Sequence, residues 1–331
     1  MLSPTDSEAL YGSLGKLAKE GATIIVVTHR IPEVINYCDH VTVLRGGKKI
    51  TDCEVSATNA RQLAEWIVGH SIKPHTHRAP KLGQPILEIQ NLSVVGDRGH
   101  FALKNIQLTV REGEMLGIAG VDGNGQRELF HVLMGTLKAL EGTIKFQGQD
   151  ITHMPPSQRI QMGLHLIPED RHTEGLVEDW SLSENAALGY QRMHPLQKKS
   201  FIDRTERRNL ALNIINRFQT KCAGIDVKVS SLSGGNQQRF VSARALEFNP
   251  KLILAFQPSR GLDIDGSQQV YEAIRQACAN GAAAIIVSYD LDELLEECDR
   301  IVAMNHGKTY VPPEGSERDR TIIGQLMVGL S

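Results

Sequence analysis

The stretch GATIIVVTHRIPEVINYCDHVTVLRGGK, from Gly21 to Lys48, returns 260 residues later as GAAAIIVSYDLDELLEECDRIVAMNHGK, from Gly281 to Lys308, without a gap. Gly21/Gly281, Ala22/Ala282, Ile25/Ile285, Val27/Val287, Glu33/Glu293, Cys38/Cys298, Asp39/Asp299, Gly47/Gly307 and Lys48/Lys308 are identical, Thr28 faces Ser288 and Leu44 faces Met304. A chance likeness between two strand–helix segments would not hold register over that length, so one fold element is present twice. The second copy closes a domain that starts near residue 85, whereas little of the chain precedes the first copy. The expectation is a piece of one domain followed by a nearly complete second one.

Local patterns fill in that outline. Leu10, Leu14 and Leu17 share one side of a helix from Ser7 to Lys19 that stops at Gly21. TIIVVTH, residues 23–29, is a β-branched run of the kind buried in a parallel sheet. IPEVINYCDH predicts a short helix, and VTVLRGGKKI a strand, a glycine turn and a second strand. Residues 70–85, HSIKPHTHRAPKLGQP, read as a linker, rich in histidine, proline and basic residues and poor in large apolar ones. His70, His75 and His77 admit a metal cluster as the alternative, but no cysteine or carboxylate frames them. Beyond the linker, ILEIQNLSVV and FALKNIQLTV alternate as half-buried strands, EMLGIAGV is a strand ending in glycine, and a helix runs from Gln126 to Met134. KLILAFQ and AAAIIVSY are two further buried strands, each with a helix after it. The organisation is α/β, with 1–69 a first piece, 70–85 a linker and 86–331 the main domain.

Composition narrows the function classes. A net charge of −2 over 331 residues lacks the basic footprint of a nucleic-acid binder. No apolar run is long enough to cross a bilayer, and the start MLSPTDSEAL has neither the basic nor the apolar part of a secretory signal. The five cysteines, at 38, 53, 222, 278 and 298, form no short metal knuckle and suit a reducing compartment. The expected setting is the cytoplasm, with any membrane role exercised through a partner.

Four segments carry candidate chemistry. In GIAGVDGNGQREL, residues 117–129, Gly120, Gly123 and Gly125 lie between a strand and a helix at the spacing of a phosphate-binding loop, G-x-x-x-x-G-K-[ST]. Such glycines let successive backbone N–H groups curl around an anion while the helix start adds positive potential. Asp122 and Asn124 sit within the loop, Gln126 stands at the lysine, and Arg127 and Glu128 stand where hydroxyls belong. Arg127 restores one positive charge at a different reach. The plainer reading is a glycine turn that only packs helix on strand. In LSGGNQQRF, residues 232–240, Ser233, Gly234 and Gly235 open a helix, either as an anion site or as an ordinary N-cap. The strand in KLILAFQPSRGLDI ends in Phe256 and Gln257, where magnesium and water would need carboxylates. Asp263 after it is a turn carboxylate. Finally, His29 ends the first copy's strand and Tyr289 the second's. A histidine there reaches a γ-phosphate or is simply satisfied in place, and a tyrosine offers only a neutral hydrogen bond.

Together these motifs resemble the ATP-binding-cassette ATPases, and more narrowly the tandem, fused ATPase subunits of bacterial sugar and nucleoside importers. GVDGNGQREL is similar to the altered Walker A of their second cassette, LSGGNQQR to their signature, and LILAFQPSRGLD to their second Walker B and D-loop. IPEDRHTEGL, residues 167–176, takes the Q-loop position with Glu169 for glutamine, and His29 matches the switch histidine. The resemblance implies a P-loop cassette over 86–331 with a helical subdomain at about 171–230, preceded over 1–69 by the C-terminal remnant of another cassette. It implies ATP as ligand, at Gly120, Asp122, Gly123, Asn124, Gly125, Gln126, Arg127 and Glu128, with Ser233, Gly234 and Gly235 clasping the ATP of a partner site and His29 as the one catalytic residue. No metal ligands follow from it, and Mg2+ enters only where a partner supplies them. The implied partners are membrane permease subunits, touching around 171–200, a first-cassette ATPase half or a second copy, and, indirectly, a solute-binding protein. Hydrolysis by this chain alone is not expected. The alternatives are a regulatory, non-transport cassette protein and an inactive remnant.

Overall fold

The computed structural model describes residues 4–28, 31–45, 47–69, 82–96 and 99–329. The chain divides into two compact units, Met1–His75 and Thr76–Ser331.

The first unit begins with helix α1 (Pro4–Lys19), followed after an extended stretch by α2 (Ile31–Tyr37), the antiparallel hairpin of β1 (His40–Arg45) and β2 (Lys48–Glu54), and α3 (Ala60–Val68). The side chain of Asn59 caps α3 by accepting from the Gln62 N–H, and Gly69 ends it at φ 94°, a left-handed conformation that suits glycine. Among the described residues, Val43, Val55 and Leu63 are its buried apolar side chains.

In the second unit, β3 (Pro85–Val95) and β4 (Phe101–Arg111) lead to β5 (Met115–Ala119), the loop 120–125 and α4 (Gln126–Met134). Then come β6 (Glu141–Phe146), β7 (Gln149–Asp150), α5 (Pro156–Gln161) and β8 (Leu164–Ile167). A π-helical turn, Arg171–Gly175, opens a helical section with α6 (Leu182–Ala186), the small pair β9 (Gln197–Lys198) and β10 (Phe201–Ile202), and α7 (Arg204–Arg217). The chain returns through α8 (Gly234–Ala245), β11 (Leu252–Phe256), α9 (Ile264–Ala279), β12 (Ala283–Ser288), α10 (Leu291–Glu297), β13 (Arg300–Asn305), β14 (Lys308–Tyr310) and α11 (Arg320–Met327).

The strands form a six-stranded sheet, β14-β13-β5-β12-β11-β8, parallel except for β14, and an antiparallel sheet, β4-β3-β6-β7. β5, β11 and β12 are buried at every position, as strands covered on both faces must be. Their alternate residues feed two cores. Ile253, Ala255, Ala284 and Ile286 pack with Leu182, Leu210, Ile214, Phe240 and Val241 of the helical side. Leu252, Leu254, Ile285 and Val287 pack with α4 and the antiparallel sheet, through Leu129, Leu133, Ile89 and Leu103. This places the loop 120–125 at the carboxyl end of β5, with the end of β12 beside it in register at Ser288↔Ala119.

The repeat extends beyond Gly21–Lys48. α1 matches α9, α2 matches α10, β1 matches β13 and α3 starts where α11 does, all at the same offset of 260. The caps match as well: Asn59 stands opposite Asp319, which accepts from Thr321 and Ile322 N–H, and Gly69 stands opposite Gly329, at φ 78°. One expectation fails. Residues 22–28 form no strand, and Ile25 and Val27 are 87% and 97% exposed. The equivalent β12 lies between β5 and β11 and pairs with both, whereas no strand among the first unit's described residues runs parallel to 23–28. A parallel strand has no hydrogen-bond partners of its own, so β propensity without neighbours leaves it unpaired.

The expected linker 70–85 falls outside the described residues at 70–81, together with His70, His75 and His77, and its last residue, Pro85, is the first of β3. No helix among the described residues is long and apolar enough to cross a membrane.

Candidate functional site

The glycine loop is held from several sides. Gly125 adopts φ 107°, and a Cβ there would lie 2.7 Å from the Ala102 carbonyl, so only glycine lets the helix start so close to β4. Gly123, at φ 83°, gives the outward turn. A Cβ on Gly120 would meet the Gln126 amide and lie 2.6 Å from the Met304 carbonyl. Asn124 ties the loop to the β13–β14 turn: its Oδ1 accepts from His306 N–H at 3.0 Å and its carbonyl from Gly307 N–H at 3.0 Å.

Gln126 turns inward. Its side chain is 1% exposed and its Nε2 donates to the Val121 carbonyl at 3.1 Å, so a neutral amide fills the inside of the loop. Arg127 turns outward to Glu174 of the π-helical turn, Nη2 to Oε1 at 2.7 Å, with His131 Nε2 at 3.7 Å from the same carboxylate oxygen. Asp122 accepts a hydrogen bond from the Tyr289 hydroxyl at 2.9 Å. Burial pushes the Tyr289 hydroxyl well up, and its bond to Asp122 and the charge of Glu169 push it further. Burial raises the Glu169 carboxyl as well. Arg127 opposes that rise, while Asp122 and Glu174 add to it. The loop is therefore ringed by carboxylates at 122, 169 and 174, and its own arginine is bonded to one of them.

The end of β11 is aromatic. Phe256 is 2% exposed and meets Phe130 edge to face at 5.5 Å and Tyr289 at 6.0 Å. Gln257 takes a positive φ, 44°, and its N–H donates to the Val287 carbonyl at 2.7 Å. The two residues at this strand end, Phe256 and Gln257, carry no carboxylate. Asp263 caps α9, accepting from Gly266 N–H and from Arg239 at 2.9 Å each, so it is a structural carboxylate.

Ser233 holds the N-cap position of α8, but its hydroxyl does not cap: Oγ accepts from the Asn236 side chain at 2.9 Å and bonds no backbone N–H of its helix. The residue is exposed. Gly235 approaches the Gly261 carbonyl, 3.1 Å from where a Cβ would be, and Gly234 lies beneath the Arg171 guanidinium. Arg171 Nε donates to Gln237 Oε1 at 3.2 Å.

His29, the candidate catalytic residue, lies outside the described residues. Its neighbour Thr28 donates to Glu33 Oε2 at 2.8 Å, and Tyr11 donates to the same oxygen at 2.9 Å. The second unit repeats this set: Ser288 donates to Glu293, and Tyr271 is buried beside it. Burial raises the Glu293 carboxyl, against hydrogen bonds from Ser259, Ser288 and Tyr271. The identity of Glu33 with Glu293 signals this pair in the sequence. Nothing in the sequence singles out Glu174 or Arg171 as neighbours of the loop and of α8.

At positions 126–128 the loop's own side chains are an amide, a guanidinium and a carboxylate, with neither lysine nor hydroxyl, and residues 256 and 257 are phenylalanine and glutamine. Among the described residues no group of three histidines, cysteines or carboxylates is placed to hold a metal.

Comparison with known proteins places the chain among relatives of one kind. The family model described as ABC transporter matches residues 103–259. The nucleoside import ATP-binding protein NupA of Lactococcus lactis subsp. cremoris is 37% identical over 334 aligned positions, covering 99% of this chain and 65% of that protein. A glucose import ATP-binding protein of Haloferax volcanii is 36% identical, covering 99% and 60%. A ribose import ATP-binding protein of Mesorhizobium japonicum is 34% identical, covering 98% and 63%. The chain therefore spans less than two thirds of the length of these relatives. A dimeric ATP-binding cassette bound to ADP and Pi superposes with a TM-score of 0.58 at 23% identity, over 67% of this chain and 95% of that one. A nucleotide-free cassette from an ABC transporter gives 0.60 at 24%, over 73% and 96%.

Proposed function

The chain carries an ATP-binding cassette of the ABC transporter family and is related to the ATP-binding proteins of nucleoside and sugar importers; from that premise we propose that it binds ATP without hydrolysing it and lends its signature to an ATP site built by another cassette. One observation carries the proposal: the same cassette has an exposed signature serine whose hydroxyl is not used as a cap, and a phosphate loop filled by its own Gln126. The loop of Gly120, Asp122, Gly123, Asn124, Gly125, Gln126, Arg127 and Glu128 offers backbone N–H groups and a helix start to phosphate. It lacks the cation that accompanies the outer phosphates, and the strand end at Phe256 and Gln257 lacks the base and metal ligands of a hydrolytic site. Magnesium at the shared site is then held by the other cassette.

On this reading Ser233, Gly234 and Gly235 close over the phosphates of the partner's ATP. The partner is a first-cassette half, on this chain's own polypeptide or a separate one, or a second copy. The apolar, exposed stretch 23–28 is the strand that such a half would take into its sheet, with His29 at its end. Assembled, the pair sits on the cytoplasmic face of the membrane against permease subunits, touching them around 171–200, and is served by a solute-binding protein. The solute class, nucleoside or sugar, follows the relatives.

The test is reconstitution. Mixed with a relative's first-cassette half, the chain is expected to raise ATP turnover above that of the half alone, and Ser233→Ala is expected to abolish the gain. A gain that survives Ser233→Ala would remove the signature from the account. No gain with any such half would remove the partner.

A further inference from the structure

One strongly basic stretch is used by neither the glycine loop nor the signature. Between Arg192 and Arg208 the chain carries six lysines and arginines against two carboxylates, Asp203 and Glu206, although its net charge is −2. At the centre of that stretch stands the hairpin of β9 and β10, and residues 197–202 are all exposed. Lys199 takes a positive φ, 55°, so that Lys199 and Ser200 alone turn the chain, and Gln197 Nε2 donates to the Lys199 carbonyl at 2.9 Å. Phe201 pairs with Lys198, which puts the two side chains on one face of the hairpin. Phe201 is 80% exposed, and the next most exposed aromatic among the described residues, Phe101, is 50% exposed. The burial that an aromatic ring ordinarily gains from folding is left unmade here. The cations beside the ring are little engaged. Lys198 Nζ stands 3.5 Å from Asp203 Oδ2, while the other oxygen of Asp203 accepts from Thr205 N–H at 2.9 Å and Glu206 N–H at 3.3 Å. Lys199 makes no ion pair with a described residue.

We propose that this hairpin is a contact with anionic lipid: Phe201 enters the headgroup layer of a bilayer, and Lys198 and Lys199 meet the headgroup phosphates. The proposal rests on the reading that the chain works at a membrane face, and not on nucleotide binding. A two-residue turn with every side chain outward is convex, and offers none of the pockets in which protein partners bury their anchoring side chains. A bilayer surface needs no such pocket. A ring flanked by lysines suits that boundary, because the ring leaves water while the lysine stems lie along apolar surface and keep their charges among the headgroups. Each basic residue held near an anionic surface multiplies partitioning by about fivefold. That attraction fades within a Debye length, about 10 Å at 0.1 M salt, so it acts only when the tip touches the surface. One ring and two lysines make a reversible contact, which orients the cassette on the bilayer rather than anchoring it.

The experiment is flotation of the full chain with vesicles of phosphatidylcholine alone and of phosphatidylcholine with phosphatidylglycerol, at low and high salt. Binding is expected on the anionic vesicles, to weaken with salt and to be slight on the neutral ones. The double variant K198S/K199S is expected to lower partitioning on the order of twentyfold, and F201S several-fold. K48S/K49S removes the same charge from the exposed start of β2 and is expected to change nothing. In F201W the new indole is expected to be quenched by brominated lipid, beyond any quenching of Trp66 and Trp180 in the unsubstituted chain. Equal losses from the two lysine pairs would mean that the vesicles sense charge in general, and would overturn the proposal. So would equal binding to neutral and anionic vesicles, or an indole at 201 that brominated lipid does not reach. Binding only to vesicles that hold permease subunits would assign the hairpin to a protein partner and overturn it as well. Each of these failures leaves the readings of the loop and the signature standing, because reconstitution with a first-cassette half tests those without lipid.

Discussion

The side-chain amide of Gln126 donates to the Val121 carbonyl from inside the loop, 3.1 Å away, in the place where a phosphate-binding lysine would extend. A neutral group satisfied by the loop's own backbone adds no positive charge for an anion, and displacing it costs its hydrogen bond.

Gln126→Lys breaks that bond and puts a cation in the loop. ATP affinity is expected to rise about tenfold, the scale of one charge-assisted hydrogen bond. Turnover is expected to stay absent, because Phe256 and Gln257 still supply no carboxylate. Calorimetry and phosphate release check the two halves of this expectation separately.

Glu169 is expected to give the loop a pH dependence. Its carboxyl is raised by burial, opposed by Arg127 and reinforced by Asp122 and Glu174, with Arg260 also nearby. As pH falls through that raised value Glu169 takes up a proton and one negative charge leaves the neighbourhood of the loop. ATP binding is expected to strengthen in that direction beyond what ATP's own protonation gives. Glu169→Gln is expected to bind ATP more tightly at neutral pH and to lose the extra slope, as titrations of the two proteins across pH 5–8 would show.

Glu293 links pH to stability. Its folded carboxyl is raised by burial, so the folded chain holds a proton that the unfolded chain has released. The contribution is present below the ordinary glutamate range and is lost as pH rises through the raised value. Glu293→Gln is expected to flatten thermal stability across that window. Glu293→Ala, which leaves Ser288 and Tyr271 facing a buried gap, is expected to cost about 2–4 kcal/mol in denaturant unfolding.

Val27 and Val287 occupy the same position in the two copies and test what the missing neighbours do. Val287 is wholly buried, and Val287→Ala is expected to cost about 2 kcal/mol. Val27 is 97% exposed, and Val27→Ala is expected to leave the stability of the isolated chain within about 0.5 kcal/mol. Amide exchange is expected to follow the same division, with little protection over 23–28 and strong protection over 252–256.

These contrasts also mark how much of the fold and site the sequence carries. Helices at Pro4–Lys19 and Gln126–Met134 and the buried strands at 252–256 and 283–288 lie where apolar spacing and β-branched runs put them. The glycine loop and the start of α8 are equally readable, because φ > 0 and close approach leave few residue choices. The run at 23–28 misleads because a strand is a pairwise object, and propensity carries no information about whether neighbours exist. The Tyr289–Asp122 bond, the aromatic filling of the β11 end and the Arg127–Glu174–Arg171 link join residues far apart in the chain, and no local pattern encodes them. Local pattern also does not tell the two N-cap positions apart: the Ser233 hydroxyl makes no cap bond to α8, while Asp263 caps α9.

The central claim is that this cassette binds ATP and does not turn it over. The most direct measurement follows ATP bound to, and phosphate released from, the purified chain alone under single-turnover conditions. Saturable binding with no phosphate released above the rate of free ATP is the expected result. Turnover by the chain alone that disappears on Ser233→Ala would contradict it.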